Sequence, residues 1–346
     1  MKQVVYSLLF VFIFVGSGTA QTYPLRVLQF NIWQEGTTVP GGFDGVVEEI
    51  ARLQPDLVAL SEVRNYNNTR FHERIVTALK AKGLTYYSFY SDDTGILSKY
   101  PLIEYGPLGK KDIDFRGTIH KVVVKHESGK EITFYTAHLQ YTKAANYLPR
   151  AYDADTWEKL PAPVLSADSI IQNNKLSTRD EAIAAFIKDA RQETKKGRLV
   201  FLGGDFNEPS HLDWTKRTKN LFDHHGQIVP WNNTLSLQKN GFIDAYRKQF
   251  PNEVSHPGFT FPAYITTVPT KKLVWAPDAD ERDRIDFIFY RKNKAVRLKD
   301  VTIVGPKESI LKGQPVTEAT KDPFLLPQGN WPTDHKALLA DFVIKK

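Results

Sequence analysis

Acidic, amide and imidazole side chains recur just beyond short apolar runs in this chain. Asn31 follows Leu25 to Phe30, Glu62 follows Leu57 to Leu60, and His138 follows Ile132 to Ala137. Asp205 and Asn207 follow Leu199 to Leu202, while Asp334 and His335 stand just before the final run, Ala337 to Ile344. These residue types suit metal-assisted phosphoester hydrolysis. Hard carboxylate oxygens such as those of Glu62 and Asp334 bind Mg²⁺ or Mn²⁺, ions that keep water and engage phosphate oxygens. Such an ion stabilises the charge that builds up on the phosphoryl oxygens in the transition state. Amides such as Asn31 and Asn207 orient ligands or phosphate without adding charge, and histidine moves protons near neutral pH.

Taken singly, each position has an ordinary structural reading. An Asp after a strand caps a helix or sits in a turn, a His there packs or faces water, and Gly203-Gly204 makes a tight turn. The ordered set argues for a site, because strand ends in a layered α/β protein converge on one rim. Asp334-His335 reaches that rim only if the last strand runs opposite to the others.

The elements that must position these residues alternate in type. Leu25 to Phe30 alternates in the manner of a strand, and Val46, Val47, Ile50 and Leu53 share one helical face that Gln54-Pro55-Asp56 ends. Leu57 to Leu60 and Leu199 to Leu202 are continuous runs of the kind found in buried strands. Further strands are predicted at Tyr86 to Tyr90, Gly95 to Ser98, Ile285 to Tyr290, Val296 to Val304 and Ala337 to Ile344. Ile119 to Lys125 and Glu131 to Ala137 flank Ser128-Gly129, a hairpin signal. Helices are predicted at His72 to Lys82, at Thr178 to Arg191 with a capping box of Thr178 and Glu181, and at Gly241 to Lys248. This order argues for one α+β domain with mixed or antiparallel sheets. Gln140 to Ser177 is irregular, and so long a loop inside one domain is usually functional. It carries Tyr141, Tyr147, Arg150, Tyr152 and Trp157.

The N-terminus differs in character from the rest. Lys2, the almost wholly apolar Val4 to Val15, and the small residues Gly16-Ser17-Gly18-Thr19-Ala20 read as a secretory signal cleaved after Ala20. The apolar run is short for a membrane span. Residues 21–346 are therefore expected to be secreted or periplasmic, with no transmembrane segment. The 346 residues contain no cysteine, so disulfides are excluded and a bacterial exported protein is expected. The sequons at Asn67 and Asn232 matter only in a glycosylating host. The net charge of +7 suits an anionic substrate, although the basic residues are scattered.

In order along the chain, seven segments resemble those of the endonuclease/exonuclease/phosphatase superfamily. They are Leu28-Gln29-Phe30-Asn31-Ile32, Pro55 to Val63 around Ser61-Glu62, Gly95 to Leu102, Thr136-Ala137-His138-Leu139, Gly203-Gly204-Asp205-Phe206-Asn207, Arg284-Ile285-Asp286-Phe287-Ile288 and Thr333-Asp334-His335. That superfamily includes deoxyribonuclease-I-like nucleases, AP endonucleases, neutral sphingomyelinases and inositol-polyphosphate 5-phosphatases. The resemblance implies a four-layer sandwich: two mixed or antiparallel β-sheets packed face to face, with helices outside. It also implies roles. Glu62 is the main metal ligand, helped by Asn31 and Asp334, with Mg²⁺ or Mn²⁺ as the ion. Asp205 handles the attacking water or binds a second divalent ion, and Asn207 contacts the scissile phosphate. His335 acts with the water and is oriented by Asp286, while His138 stabilises phosphate or protonates the leaving oxygen. Ser61 stands where the family usually has Gln, and Thr333 where Ser is common. No carboxylate that would orient His138 is evident. Arg116 resembles a position near phosphate in several members.

Loops rather than the core select the substrate. A nuclease needs a basic groove, and no concentrated basic stripe is present. A lipid phosphodiesterase needs an exposed apolar hairpin, for which the aromatic stretch Phe259 to Pro277 is the candidate, although a pocket wall is the simpler reading. A small sugar, inositol or headgroup phosphate would use Gln140 to Ser177 as a pocket, with Tyr141 and Trp157 as binding residues. This third reading ranks first. A non-enzymatic binding module conflicts with the completeness of the set, and no obligate protein partner is evident.

Overall fold

Continuously apolar runs such as Leu57 to Leu60 require strands covered on both faces, and this chain provides such cover twice. The computed structural model describes residues 21–108 and 119–346. The expected export signal and Arg116 lie outside the described residues.

Strand β1 (Thr22–Asn31) leads through helix α1 (Gly42–Leu53) to β2 (Leu57–Val63), which pairs with it in parallel. Helix α2 (Phe71–Ala81) then precedes β3 (Asp93–Ser98), antiparallel to β2. The chain next enters a second sheet with β4 (Leu102–Pro107), β5 (Ile119–Lys125) and β6 (Glu131–His138). After α3 (Ala167–Asn174) and α4 (Arg179–Lys195), β7 (Leu199–Asp205) joins β6 in parallel. Next come α5 (Asn232–Lys239), β8 (Phe242–Asp244), α6 (Ala245–Gln249) and β9 (Asp286–Arg291), the last antiparallel to β7. β10 (Val296–Val304), a small hairpin of β11 (Glu308–Leu311) and β12 (Gln314–Thr317), β13 (Phe324–Leu325) and β14 (Ala337–Lys345) complete the chain. The two large sheets run in the orders β13-β10-β14-β1-β2-β3 and β4-β5-β6-β7-β9-β8.

Alternation along each strand divides its side chains between two cores. Val27, Leu57 and Ala59 face inward to meet Phe134, Phe201 and Ile288 of the other sheet. Leu28, Phe30, Val58 and Leu60 face outward, under Val46 and Ile50 of α1 and Ile75 and Leu79 of α2. On the far side, Tyr135, Val200 and Leu202 lie beneath Ile183, Phe186 and Ala190 of α4. The result is the expected α+β sandwich of four layers. No helix among the described residues is long and apolar enough to cross a membrane.

Several local expectations change. Gly203 and Gly204 form no turn: they lie inside β7, where a Cβ on Gly203 would stand 2.7 Å from Ala59 Cβ and one on Gly204 2.4 Å from the Ala137 carbonyl oxygen. They let the sheets, and β6 with β7, approach closely at the site end. Thr178 makes no side-chain cap to α4. Its N–H and hydroxyl both donate to Gln140 Oε1, at 2.8 and 2.9 Å. Gly241, in the left-handed region at φ 79°, ends the preceding helix, so Phe242–Asp244 forms an edge strand on β9 before Asp244 caps α6. Tyr86 to Tyr90 is not a strand, because only Tyr87 bridges to Ser98. The segment from Gln140 to Ser177 holds a 3₁₀ turn and α3. It packs Ala145, Leu148 and Ile170 on Trp214, Val229 and Trp231 from a distant loop.

Candidate active site

Strand direction assembles the site. β1, β2, β6 and β7 run toward one rim and deliver Asn31, Glu62, His138 and Asp205 there. β14 and β9 run the other way, so Asp334-His335 and Asp286 arrive at the same rim from strand starts. Asp286 lies directly opposite Asp205 in the ladder. Glu62 is the extra residue of a bulge between β2 and β3, with φ 68°, and the bulge re-aims its side chain. Asn207 (φ 48°) and Asp93 (φ 41°) are also left-handed. Each such non-glycine conformation costs on the order of 1 kcal/mol and persists because surrounding contacts impose it.

Asp205 is the centre. Its Oδ2 accepts from Asn31 Nδ2 at 2.9 Å, and its Oδ1 accepts from the Asn207 N–H at 2.9 Å. Two histidines face it from either side, His335 Nε2 at 3.8 Å and His138 Nε2 at 3.9 Å from Oδ2. Each ring is fixed behind by a carboxylate. His335 Nδ1 lies 2.9 Å from Asp286 Oδ2, and His138 Nδ1 lies 2.7 Å from Asp93 Oδ2. Asp286 is itself held by Gln29 Nε2 at 2.8 Å. Ser61, standing where Gln is usual, donates across the sheets to the Ala137 carbonyl at 3.1 Å.

Burial disfavours charge on Asp205, Asp334, His138 and His335, and their neighbours decide the outcome. Burial pushes Asp205 up to about 6, with Asp286 adding to the push and both histidines opposing it. Burial pushes Asp334 up to about 7, and nearby Glu62 adds to that. For the histidines burial works against protonation but is outweighed. Asp286 and Asp205 hold His335 up to about 10, and Asp93 and Asp205 hold His138 up to about 9. Asp93, though buried, is held below the usual carboxylate range by His138 and Arg64. Both rings thus present an Nε2–H toward Asp205 at neutral pH.

Asp205, Asp286 and His335 place potential metal-ligand atoms within 4.8 Å of one another. Both Asp286 oxygens, however, are already engaged by Gln29 and His335. Glu62 and Asp334 fit a hard cation better, being carboxylates that repel one another in a buried setting. Asn31 presents Nδ2 to Glu62 Oε1 at 3.2 Å and to Asp205, while its Oδ1 accepts from the Trp33 N–H at 2.9 Å. In this arrangement it positions both carboxylates.

Two residues of this network escaped the sequence reading. Asp93, the orienter of His138, starts β3, and the rule that found Asp334 at a strand start applies to it. Arg64 bridges Glu62 Oε2 (3.2 Å) and Asp93 Oδ1 (3.1 Å), joining Glu62 to the His138–Asp93 pair. No pattern in the sequence marks it.

A cleft of about 930 Å³ opens over this floor. Tyr141 and Trp157 line it, joined by Tyr147, Phe261 and Trp275. The Phe259 to Pro277 stretch is therefore largely wall and core: Phe259, Phe261, Ile265 and Leu273 are buried, and Phe261 packs on the His335 ring at 5.0 Å. Asn207, expected to contact phosphate, lines the cleft while its Nδ2 donates to the Leu139 carbonyl at 3.0 Å.

The sequence pattern of the Endonuclease/Exonuclease/phosphatase family matches residues 28–335. The uncharacterized protein F14F9.5 of Caenorhabditis elegans is 29% identical over 319 residues, which span 92% of this chain and 91% of that protein. Among solved structures, D. rerio TDP2 complexed with single strand DNA product superposes with a TM-score of 0.50 at 16% identity, over 92% of this chain and 98% of that one. The human Nocturnin catalytic domain with bound sulfate anion gives 0.50 at 16% identity, over 93% and 97%. An endonuclease/exonuclease/phosphatase from Beutenbergia cavernae gives 0.51 at 16% identity, over 93% and 72%. At such identities the structural likeness is one of fold. The matches come from animals and bacteria alike, so they do not single out the bacterial source expected from the missing cysteines.

Proposed function

Because the chain belongs to the endonuclease/exonuclease/phosphatase family and is a phosphoester hydrolase, we propose that it is an exported, divalent-metal-dependent enzyme acting on a small phosphodiester or phosphomonoester. The observation that supports this most directly is the convergence of two His–Asp pairs on the buried Asp205, beside Glu62 and Asp334. Glu62 and Asp334 would hold Mg²⁺ or Mn²⁺, with Asn31 positioning Glu62. When bound, the ion supplies charge stabilisation to the phosphoryl oxygens.

The chain's own residues supply the rest. Asp205 accepts the proton of the attacking water, its pKa near 6 being close to working pH. The water oxygen bonds to phosphorus as the bond to the leaving oxygen breaks. His138 and His335 present Nε2–H donors to the charge that develops, and one of them protonates the leaving oxygen. Asp93 and Asp286 hold the two rings in register through the reaction.

Seven carboxylates line the cleft among the described residues, against Arg64 and Lys272 as its only lysine or arginine. That balance favours a small ester over a polynucleotide, whose backbone needs several cations. Export is proposed from the N-terminal sequence, and N-terminal sequencing of secreted material should begin at Gln21. Turnover of bis-p-nitrophenyl phosphate should require Mg²⁺ or Mn²⁺ and stop with EDTA; metal-independent turnover would defeat the proposal. His335→Ala and Asp205→Asn should each remove activity by about 10³-fold or more while the protein stays folded. Near-wild-type rates in either variant would overturn the assigned roles.

A further inference from the structure

The loop after β1 wraps Glu62 in a conformation that most residues avoid. Trp33, Gln34 and Glu35 stand at φ 37°, 56° and 62°, and Gly36 follows at 73°. The Gly36 N–H donates to the Ile32 carbonyl at 2.5 Å, which closes one left-handed helical turn. Residues other than glycine visit this region singly, not in runs. Strain of this kind persists only where the surroundings impose it, and it collects at functional sites. We infer that Glu35 is a positioning residue: its buried carboxylate imposes the turn and so holds Glu62 in place for the divalent ion. The inference rests on the hydrolase reading above and adds a residue that acts through the metal ligand.

The turn brings backbone donors together on one place. The first N–H groups of a helical turn have no partner within it and point the same way. Here the Trp33 N–H goes to Asn31 Oδ1 at 2.9 Å, the Gln34 N–H to Glu62 Oε2 at 3.1 Å, and the Glu35 N–H to the Glu62 carbonyl at 3.1 Å. Arg64 Nη2 reaches the same Glu62 Oε2 at 3.2 Å, and Asn31 Nδ2 reaches Oε1 at 3.2 Å. The carboxylate and the backbone of Glu62, itself left-handed at φ 68°, are thus set by this loop and by Arg64. A ligand held in advance loses less freedom when the ion binds.

The Glu35 side chain ties the turn to the loop that carries Arg64. It is fully buried, and its Oε1 accepts from the Arg64 N–H and from the Thr69 hydroxyl, at 2.7 Å each. Its Oε2 accepts from Arg74 Nη1 at 3.1 Å, and that guanidinium lies 4.5 Å from the centre of the Phe43 ring. One carboxylate therefore spans the turn, residues 64–69 and helix α2. It sets the backbone of Arg64, whose guanidinium bridges Glu62 and Asp93. Glu35 is not among the residues that line the cleft, so it acts only through these neighbours. Reach matters more than charge in this role. Oε1 must meet two donors at once, whereas the Arg74 side chain is 42% exposed and can turn to water.

The test is the affinity of the purified protein for Mn²⁺, read without substrate from the EPR signal of the free ion, beside Tm from circular dichroism. Glu35→Gln keeps the length and the oxygen that accepts from Arg64 and Thr69, and should bind Mn²⁺ within about threefold of wild type. Glu35→Asp keeps the charge and tolerates the left-handed backbone but is one methylene short. It should bind Mn²⁺ about 10–100-fold more weakly, and kcat/KM on bis-p-nitrophenyl phosphate at limiting Mn²⁺ should fall alike. Leu79→Ala, in the core under α2 and a turn beyond Arg74, should lower Tm with Mn²⁺ affinity unchanged. That variant separates positioning from a general loss of stability. Glu35→Asp binding Mn²⁺ as tightly as wild type, or as tightly as Glu35→Gln, overturns the inference; the second result would make Glu35 a source of negative field rather than of reach. Leu79→Ala losing Mn²⁺ affinity as far as Glu35→Asp overturns it too. In each of these cases wild type still binds Mn²⁺, and the hydrolase reading stands. If wild type neither binds Mn²⁺ nor cleaves the ester, that reading falls and this inference with it.

Discussion

Asp205 is served by two histidines, and the carboxylate behind each histidine decides how that ring is aimed. Asp286 is doubly held, by His335 and Gln29. Asp93 is held by His138 and Arg64. An orienting partner of this kind is worth about 10–100-fold in activity when removed. Asp93→Asn should therefore lower kcat by about 10–100-fold with unchanged circular dichroism. Because Asp93 works through His138, adding Asp93→Asn to His138→Ala should cost little more, as residues acting in one unit are not additive. A double variant much worse than His138→Ala alone would show that Asp93 has a separate task, such as holding Arg64.

At the scale of elements, β7 and β9 carry the centre of the site, and each is fixed by a tight contact. Gly203 leaves the space that Ala59 fills across the sheets. Gly203→Ala should cost about 1–3 kcal/mol in urea unfolding, the usual range for overpacking, and lower activity because Asp205 is two residues further on. Ala59→Gly in the same molecule should return part of the loss. β9 is anchored by fully buried Arg284. It pairs with Asp213 at 2.9 Å and approaches Asp244 at 2.8 Å, an ion contact without hydrogen-bond alignment. Arg284→Leu removes one buried guanidinium from both carboxylates, leaving Asp213 only Arg247 Nε at 2.7 Å and Asp244 only the Arg247 N–H at 3.1 Å, and should destabilise by about 3 kcal/mol. A loss under 1 kcal/mol would mean that water replaces the guanidinium.

Over the whole molecule, charge is unevenly divided. The chain carries +7, yet among the described residues that line its cleft carboxylates outnumber lysine and arginine, seven to Arg64 and Lys272. The positive surplus therefore lies largely outside the cleft. Buried histidines away from the floor make stability depend on pH. Burial pushes His120 down to about 4, although Asp92 and Asp93 oppose it. Between pH 6.5 and 4 the unfolded chain binds a proton there that the folded chain does not. Stability from this group is thus lost as pH falls, by roughly 1.4 kcal/mol per pH unit. Buried carboxylates with raised pKa act in the opposite sense, so the effect is read as a difference. The stability gap between wild type and His120→Gln should narrow by about that amount per unit from pH 6 to pH 4. A gap independent of pH would mean that His120 is protonated in the fold.

Much of this architecture is legible locally, because burial imprints a period on each segment. Continuous runs marked strands covered on both faces, and the residues just past them, Asn31, Glu62, His138 and Asp205, proved to share one rim. Asp286, Asp334 and His335 share it too. Gly203-Gly204 shows where local reading ends. It marked the right strand, but its purpose is the approach of Ala59 and Ala137, which belong to other strands. Asp93 and Arg64 escaped because their meaning depends on β3 running antiparallel beside β2, a matter of strand order. The aromatic wall of the cleft joins Tyr141 and Trp157 to Trp275, more than a hundred positions later. The sequence by itself determined the buried strands and their ends, since periodicity and residue type are local properties, while the layers and the reaction class followed from the order of the seven segments that resemble the family. Only the tertiary structure decided which groups face one another across the two sheets, because that depends on strand order and direction, which no short segment encodes.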